Sequence, residues 1–318
     1  MRYGRIGGVG KPVSRLVLGS TSLSSQRLEE GLALLDAGWA AGVNCIDTAH
    51  IYGRGDCERV LGQWLASRGV REQAVIVTKG AHPNEDRRRV TPFDIAGDLH
   101  DSLARLKTDY IDLYLLHRDD PTQPVGPIID ALNEHLQAGR IHAFGVSNWT
   151  HERLSKANRY AYEEDLKHFT ASSPNFSLAQ IVEDPWEGCV SLSGPRNAAA
   201  REWYLSRRMP VLAWSSLGGG FLSGRYSRQS MAAMDKPDFC VRCFGGQENL
   251  ARLERAAELG RQMGLSVPQV AVAYLLNQPL EVYPLVGCRG GQHIQELTAA
   301  VEAPLSPQQL TWLETGRE

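Results

Sequence analysis

Tyr110-Ile111-Asp112-Leu113-Tyr114-Leu115-Leu116-His117 is apolar at nearly every position and then stops on a histidine. A strand with one wet face alternates apolar and polar residues, whereas a run this continuous is covered on both faces, as a parallel strand under helices is. Similar short runs lie on either side of it. Leu16-Val17-Leu18, Val43 to Ile46 and Ala74 to Val77 come before, and Ile141 to Val146, Phe169 to Ala171, Val211 to Ala213 and Val282 to Val286 come after. Helical periodicity fills the gaps, with Leu28, Leu32, Leu35 and Trp39 on one face and Ile95, Leu99, Leu103 and Leu106 on another. Thr91 before Pro92, and Ser266 close to Pro268, read as helix starts. Strand and helix therefore alternate through eight repeats with no Pro/Gly/Ser linker. This predicts an α/β fold, a single (β/α)8 TIM barrel over residues 1–318, rather than an open sheet with a second domain.

Two segments break the rhythm. Residues 1–14 carry Gly7-Gly8-Val9-Gly10 between short flanking segments, which predicts an N-terminal β-hairpin ahead of the first barrel strand. Residues 173–199 are long for a βα loop, so Trp186 and its neighbours either shape a substrate pocket or form a surface excursion.

The 318 residues, 42% of them hydrophobic, suffice for one large core. A net charge of −2 gives no electrostatic case for nucleic acid or an anionic membrane and leaves a small molecule as the default partner. No window approaches the roughly 18 apolar residues of a membrane span, and Met1-Arg2-Tyr3-Gly4-Arg5 lacks the apolar stretch of a signal peptide, so a cytoplasmic location is expected. Oligomeric state is not legible, because outer helical faces and dimer faces look alike. Six scattered cysteines (Cys45, Cys57, Cys189, Cys240, Cys243, Cys288) read as free thiols. Cys240 and Cys243 form a CxxC without a second ligand pair, so no metal is expected.

Barrel active sites sit at the C-terminal ends of the strands. Asp47 ends the second strand, Lys79 the third and His117 the fourth; Ser147 and Asn148 end the fifth, Ser172-Ser173 the sixth, and Trp214 closes the seventh. In a closed barrel these positions converge on one mouth. Tyr52 joins them, five residues beyond Asp47 on the loop that starts at the same rim. A phenol with a reference pKa near 10 is a poor acid-base group unless its anion is stabilised. A nearby Lys79 ammonium, held charged and oriented by Asp47, is expected to lower it.

Gly218-Gly219-Gly220 follows the seventh strand, and Gly287-Cys288-Arg289-Gly290-Gly291 the eighth, where barrels often bind phosphate through backbone N–H groups. Arg289 adds a fork suited to a 2′-phosphorylated dinucleotide. Arg225 is counted with the cofactor candidates, although Gly219 to Tyr226, which has P-loop glycine spacing, lacks that motif's lysine and Ser/Thr. Gly7-Gly8-Val9-Gly10 is not a GxGxxG turn. Arg118-Asp119-Asp120 could contact a polyol and Arg87-Arg88-Arg89 an anion, but both runs read as solvated surface.

Gly42-Val43-Asn44-Cys45-Ile46-Asp47-Thr48-Ala49 leading to Tyr52-Gly53, Val77-Thr78-Lys79, Leu115-Leu116-His117-Arg118 and Gly145-Val146-Ser147-Asn148 together resemble the aldo-keto reductase family almost end to end. The resemblance implies an NAD(P)H-dependent oxidoreductase that reversibly reduces an aldehyde or ketone to an alcohol. Hydride would come from nicotinamide C4 and the proton from Tyr52; Lys79 and Asp47 would tune that acid, and His117 would orient the carbonyl. It implies Ser147 and Asn148 on the nicotinamide carboxamide, Leu217 and Gly219 along the pyrophosphate, and Arg289, His293 and Glu296 at the adenosine end. Ser173 stands where many members carry a carboxamide-binding Gln, Trp214 where many stack a Tyr on the nicotinamide, Leu297 where Asn is frequent, and His293 where Arg or Gln is common. NADPH is the expected cofactor, with NADH left open. The alternative is a cofactor-sensing regulatory subunit with little turnover. A hydrolase on the same fold would need two facing carboxylates, and only Asp47 is placed at the rim.

Overall fold

A computed structural model describes residues 1–317. An antiparallel hairpin, β1 (Tyr3–Gly4) and β2 (Val13–Ser14), pairs Tyr3 with Ser14 and Gly4 with Val13, where the glycine cluster predicts it. Eight parallel strands then close a barrel: β3 (Val17–Gly19), β4 (Cys45–Asp47), β5 (Val75–Gly80), β6 (Ile111–Leu116), β7 (Ile141–Ser147), β8 (Ser172–Ser173), β9 (Val211–Ala213) and β10 (Val282–Gly287), which pairs back to β3.

The helices of the outer layer include α1 (Leu28–Ala40), α2 (Asp56–Arg68), α3 (Pro92–Leu106), α4 (Val125–Gln137), α5 (His151–Glu163) and α6 (Ala198–Arg207). Two short helices, α7 (Arg228–Ala232) and α8 (Phe239–Phe244), follow β9 ahead of α9 (Gln247–Met263) and α10 (Val267–Leu276); α11 (Gly291–Ala299) and α12 (Pro307–Thr315) end the chain. The starts expected at proline are present. The Thr91 hydroxyl accepts from the Asp94 N–H at 3.2 Å, and the Ser266 N–H donates to Gln269 Oε1 at 2.8 Å. Each such cap contributes about 0.5–2 kcal/mol.

The sixth strand differs from its reading. Phe169 and Ala171 are fully buried, but the paired residues are Ser172 and Ser173, opposite Val146 and Ser147. Apolar content tracks burial rather than pairing, so the apolar run precedes the paired residues, which are the two serines read as the strand's end.

Side chains alternate across each strand, which divides the core in two. Val17, Cys45, Val75, Val77, Leu113, Leu115 and Leu285 fill the barrel interior, together with Ile6, Val9 and Val13 of the hairpin region. Leu18, Ile46, Ile76, Tyr114, Leu116 and Val146 point outward against the helices, where Leu35, Ile95 and Leu99 meet them. The interior leaves no room at Gly145, where a Cβ would lie 2.3 Å from the Ala171 carbonyl oxygen and 2.9 Å from Leu115 Cδ2. No helix among the described residues is long and apolar enough to cross a membrane.

Candidate active site

The same two-residue period that packs the interior sets the mouth. Asp47 follows inward Cys45 on β4, Lys79 follows inward Val75 and Val77 on β5, and His117 follows inward Leu113 and Leu115 just past β6. The outward neighbour Thr78 instead donates to Glu58 of α2 at 2.7 Å.

Lys79 Nζ lies 2.7 Å from Asp47 Oδ2, donates to the Thr48 carbonyl at 2.8 Å and reaches the Tyr52 hydroxyl at 3.3 Å. The Tyr52 ring stands edge-on to His117, with centroids 5.6 Å apart. Burial would lower the Lys79 pKa, but Asp47 and Tyr52 outweigh it and raise the value above the ordinary lysine range, so the ammonium stays charged. Burial drives His117 well below the usual imidazole value, and Lys79 and Arg118 add to this, leaving a neutral ring.

For Tyr52 the balance differs from the sequence reading. Burial pushes the phenol up, Lys79 pulls it down, and the net shift is upward. Loss of solvent outweighs one ammonium at this distance, so the hydroxyl holds its proton at neutral pH.

A cavity of about 720 Å³ opens over this cluster and runs to the β10–α11 turn. Its walls include each residue given a catalytic or cofactor role from the sequence, namely Asp47, Tyr52, Lys79, His117, Ser147, Asn148, Ser173, Trp214, Leu217, Gly219, Arg225, Arg289, His293 and Glu296, and also Leu297, whereas Ser172, Gly218, Gly290 and Gly291 do not line it. At the near end Ser147 Oγ donates to the Ser173 carbonyl at 2.9 Å, and Asn148 Nδ2 donates to Ser147 Oγ at 3.0 Å. Asn148 adopts φ 58° and Ser215 φ 48°, left-handed conformations that cost non-glycine residues roughly 1–3 kcal/mol and concentrate at functional sites. At the far end the Arg289 N–H donates to His293 Nδ1 at 3.4 Å, and Glu296 accepts from Ser266 Oγ at 2.5 Å. Arg225 is half exposed, donates to the Tyr226 hydroxyl and lies 3.7 Å from Asp238.

Two wall residues, His82 and Arg118, escape the sequence reading, and a third, Trp186, is left open there between pocket and surface. His82 lines the cavity and stands edge-on to His117 at 4.9 Å. Trp186, from the long loop after β8, takes the pocket position rather than the surface one and packs against Trp214 with centroids 4.8 Å apart. Arg118, read as solvated surface, lies over the Trp186 ring at 4.4 Å and lines the cavity. The correction extends to its neighbours, since Asp119 pairs with Arg153 at 3.2 Å and Asp120 is buried. The other run is exposed at Arg87 and Arg88, as read, although it is paired: Arg87 and Arg89 bind Asp94, and Arg89 also binds Asp98 at 2.6 Å. Adjacency to a strand-end histidine was the signal that could have lifted Arg118 out of its charge run.

Cys240 and Cys243 are buried in α8 as free thiols. No group of three or more His, Cys, Asp or Glu side chains able to hold a metal occurs among the described residues.

The chain is similar to the aldo-keto reductase ausK of Emericella nidulans, with 30% identity over 93% of this chain and 74% of that protein. It is also similar to Protein tas of Escherichia coli, with 28% identity over 99% and 97%. Among solved structures it resembles an aldo/keto reductase from Klebsiella pneumoniae crystallised with NADP and acetate, with a TM-score of 0.70 and 24% identity over 95% of this chain and 91% of that one, a likeness of fold. The sequence profile of the Aldo/keto reductase family matches residues 15–315, which span the closed barrel and the whole cluster at its mouth, and the chain belongs to that family of oxidoreductases.

Proposed function

We propose that the protein reduces an aldehyde or ketone to its alcohol with NADPH, reversibly, with Tyr52 as the proton donor. The observation that carries this reading is the buried Lys79 ammonium, paired with Asp47 and 3.3 Å from the Tyr52 hydroxyl. The cavity suits a dinucleotide in volume and donor set. The Ser173 hydroxyl and the Trp214 indole N–H are buried without a partner among the described residues, and Gly219, at φ 61°, leaves bare backbone on the wall. Ser147, Asn148 and Ser173 would hold the carboxamide, Trp214 would stack on the nicotinamide, and Leu217 and Gly219 would follow the pyrophosphate. Arg225, Arg289, His293 and Glu296 would serve the remaining phosphate and adenosine groups.

When bound, the reduced nicotinamide supplies the hydride from C4. His117, neutral because it is buried, offers one N–H to the carbonyl oxygen and fixes its position without competing for the proton. Tyr52 donates its hydroxyl proton to the oxygen as negative charge develops there, and Lys79 stabilises the resulting phenolate. Asp47 keeps Lys79 charged and aimed. Positioned acid catalysis of this kind contributes about 10²–10⁴-fold. The test is NADPH consumption, followed by absorbance, with a panel of aldehydes. Turnover is expected, and cofactor binding with negligible turnover across the panel would instead make the chain a cofactor sensor.

Two predictions follow from the assigned cofactor contacts. Titration with NADPH should quench tryptophan emission, and Trp214→Phe should remove most of the change while keeping an aromatic surface. A quench of the same size in the variant would place the nicotinamide elsewhere. Arg289→Ala should weaken NADPH by about ten- to a hundredfold, the loss of one charge-assisted hydrogen bond, and leave NADH nearly untouched. The difference should shrink at high salt. Equal losses for both cofactors, or none, would pass the 2′-phosphate to another residue such as His293.

A further inference from the structure

We propose that the mouth of the cavity binds an aryl carboxylate, its ring against Trp186 and its carboxylate on Arg118. On the reading of the site as a carbonyl reductase, the substrate class is then an aryl aldehyde or ketone that carries a carboxylate.

Arg118 is a cation without a counter-ion. Its guanidinium lies over the Trp186 ring at 4.4 Å and donates once among the described residues, to the His117 carbonyl at 3.2 Å. The two acids that follow it in sequence are turned away. Asp119 is held by Arg153 at 3.2 Å, and Asp120 accepts from Thr122 Oγ1 at 2.7 Å and faces Arg88 at 3.7 Å. Among the described residues no carboxylate lies within 4.0 Å of the Arg118 guanidinium, whereas Arg87, Arg89, Arg105 and Arg153 each bind one.

An arginine does not escape burial by losing its proton, so a largely enclosed, unpaired guanidinium is costly unless a ligand supplies the anion. The planar fork matches a carboxylate in two-point fashion. The rest of this end is flat and apolar with unused donors. Trp186 and Trp214 form a tilted pair, both indole N–H groups are buried without partners among the described residues, and Ile51 and His82 complete the wall. Burial lowers the His82 pKa, so Arg118 is the free charge that a ligand meets there. Indoles recognise aromatic rings by offset or edge contact, and the cation beside them selects the acid among aromatic ligands.

The test uses the full chain and two pairs of probes. Benzoate and benzamide are titrated against tryptophan emission without cofactor, and 4-carboxybenzaldehyde and its methyl ester are compared as substrates with NADPH. Benzoate should bind about ten- to a hundredfold more tightly than benzamide, and kcat/KM should favour the free acid to the same extent, mostly through KM. Both ratios should fall towards one in Arg118→Met, recover in part in Arg118→Lys, and shrink with added salt. Ratios near one in the unaltered protein, or ratios that survive Arg118→Met, overturn the proposal. So does an Arg118→Met variant that slows acid and ester alike, because Arg118 then acts on Tyr52 rather than on the ligand. Selective benzoate binding with no reduction of either aldehyde would keep the anion site and overturn the reductase reading instead.

Discussion

Tyr52→Phe is expected to lower kcat for carbonyl reduction by about 10²–10⁴-fold, the range for a positioned general acid, with cofactor affinity unchanged. The substitution removes one oxygen and little else. Lys79 keeps its contacts at 2.7 Å to Asp47 and 2.8 Å to the Thr48 carbonyl, and the ring can still stand against His117. Fluorescence titration and single-turnover rates separate binding from chemistry. A variant within about tenfold of the unaltered protein would remove Tyr52 as the acid, since that lies below what acid catalysis contributes. The pH profile gives a second check. The Tyr52 phenol is shifted upward by burial and His117 well downward, so neither group titrates between pH 7 and 9. Reduction should be flat with respect to these two groups across that window. It should decline only above the ordinary phenol value of about 10, while alcohol oxidation, which needs the phenolate, should rise there.

Lys79→Met is expected to cost both turnover and stability. Removing the ammonium leaves the buried Asp47 carboxylate without its partner, a change typically worth about 3–5 kcal/mol. Denaturant midpoints read that loss. The double substitution Asp47→Asn with Lys79→Met removes both charges and should recover much of the stability, because a neutral buried pair has no uncompensated ion. It should recover none of the activity, since nothing remains to stabilise the Tyr52 phenolate. A double variant as unstable as the single one would mean that Lys79 supports the fold through packing rather than through charge. Recovered turnover would mean that the lysine plays no part in the chemistry.

The part of the site carried by strands was legible in sequence because one period governs both core and mouth. Once Leu113 and Leu115 face inward, His117 must follow them, and the same argument delivers Lys79 after Val77 and Asp47 after Cys45. Tyr52 was reachable by its distance from Asp47 along a short loop. The part carried by loops was not legible in this way. Arg118 sits in a charge run that looks like any solvated turn, and only the closure of the barrel brings Trp186 beneath its guanidinium. Ser172 and Ser173, read as the end of an apolar sixth strand, are themselves its paired residues, although nothing apolar marks them. The direction of the Tyr52 shift was also beyond sequence, because burial competes with the neighbouring charge and only a packed structure weighs the two.

Thr78 and Lys79 are consecutive residues of β5 that face opposite sides of the wall, one towards Glu58 and the helices, the other towards Asp47 at the mouth. A single residue inserted early in β5 would exchange them, turning the ammonium into the helical layer and disordering the interior in the same stroke. Keeping the barrel folded therefore keeps position 79 facing the mouth, although it does not by itself keep a lysine there. Arg118 and Trp186 lie beyond the strand ends and carry no such constraint. Substitutions at those two positions can alter what the mouth admits without shifting the register that aims Lys79.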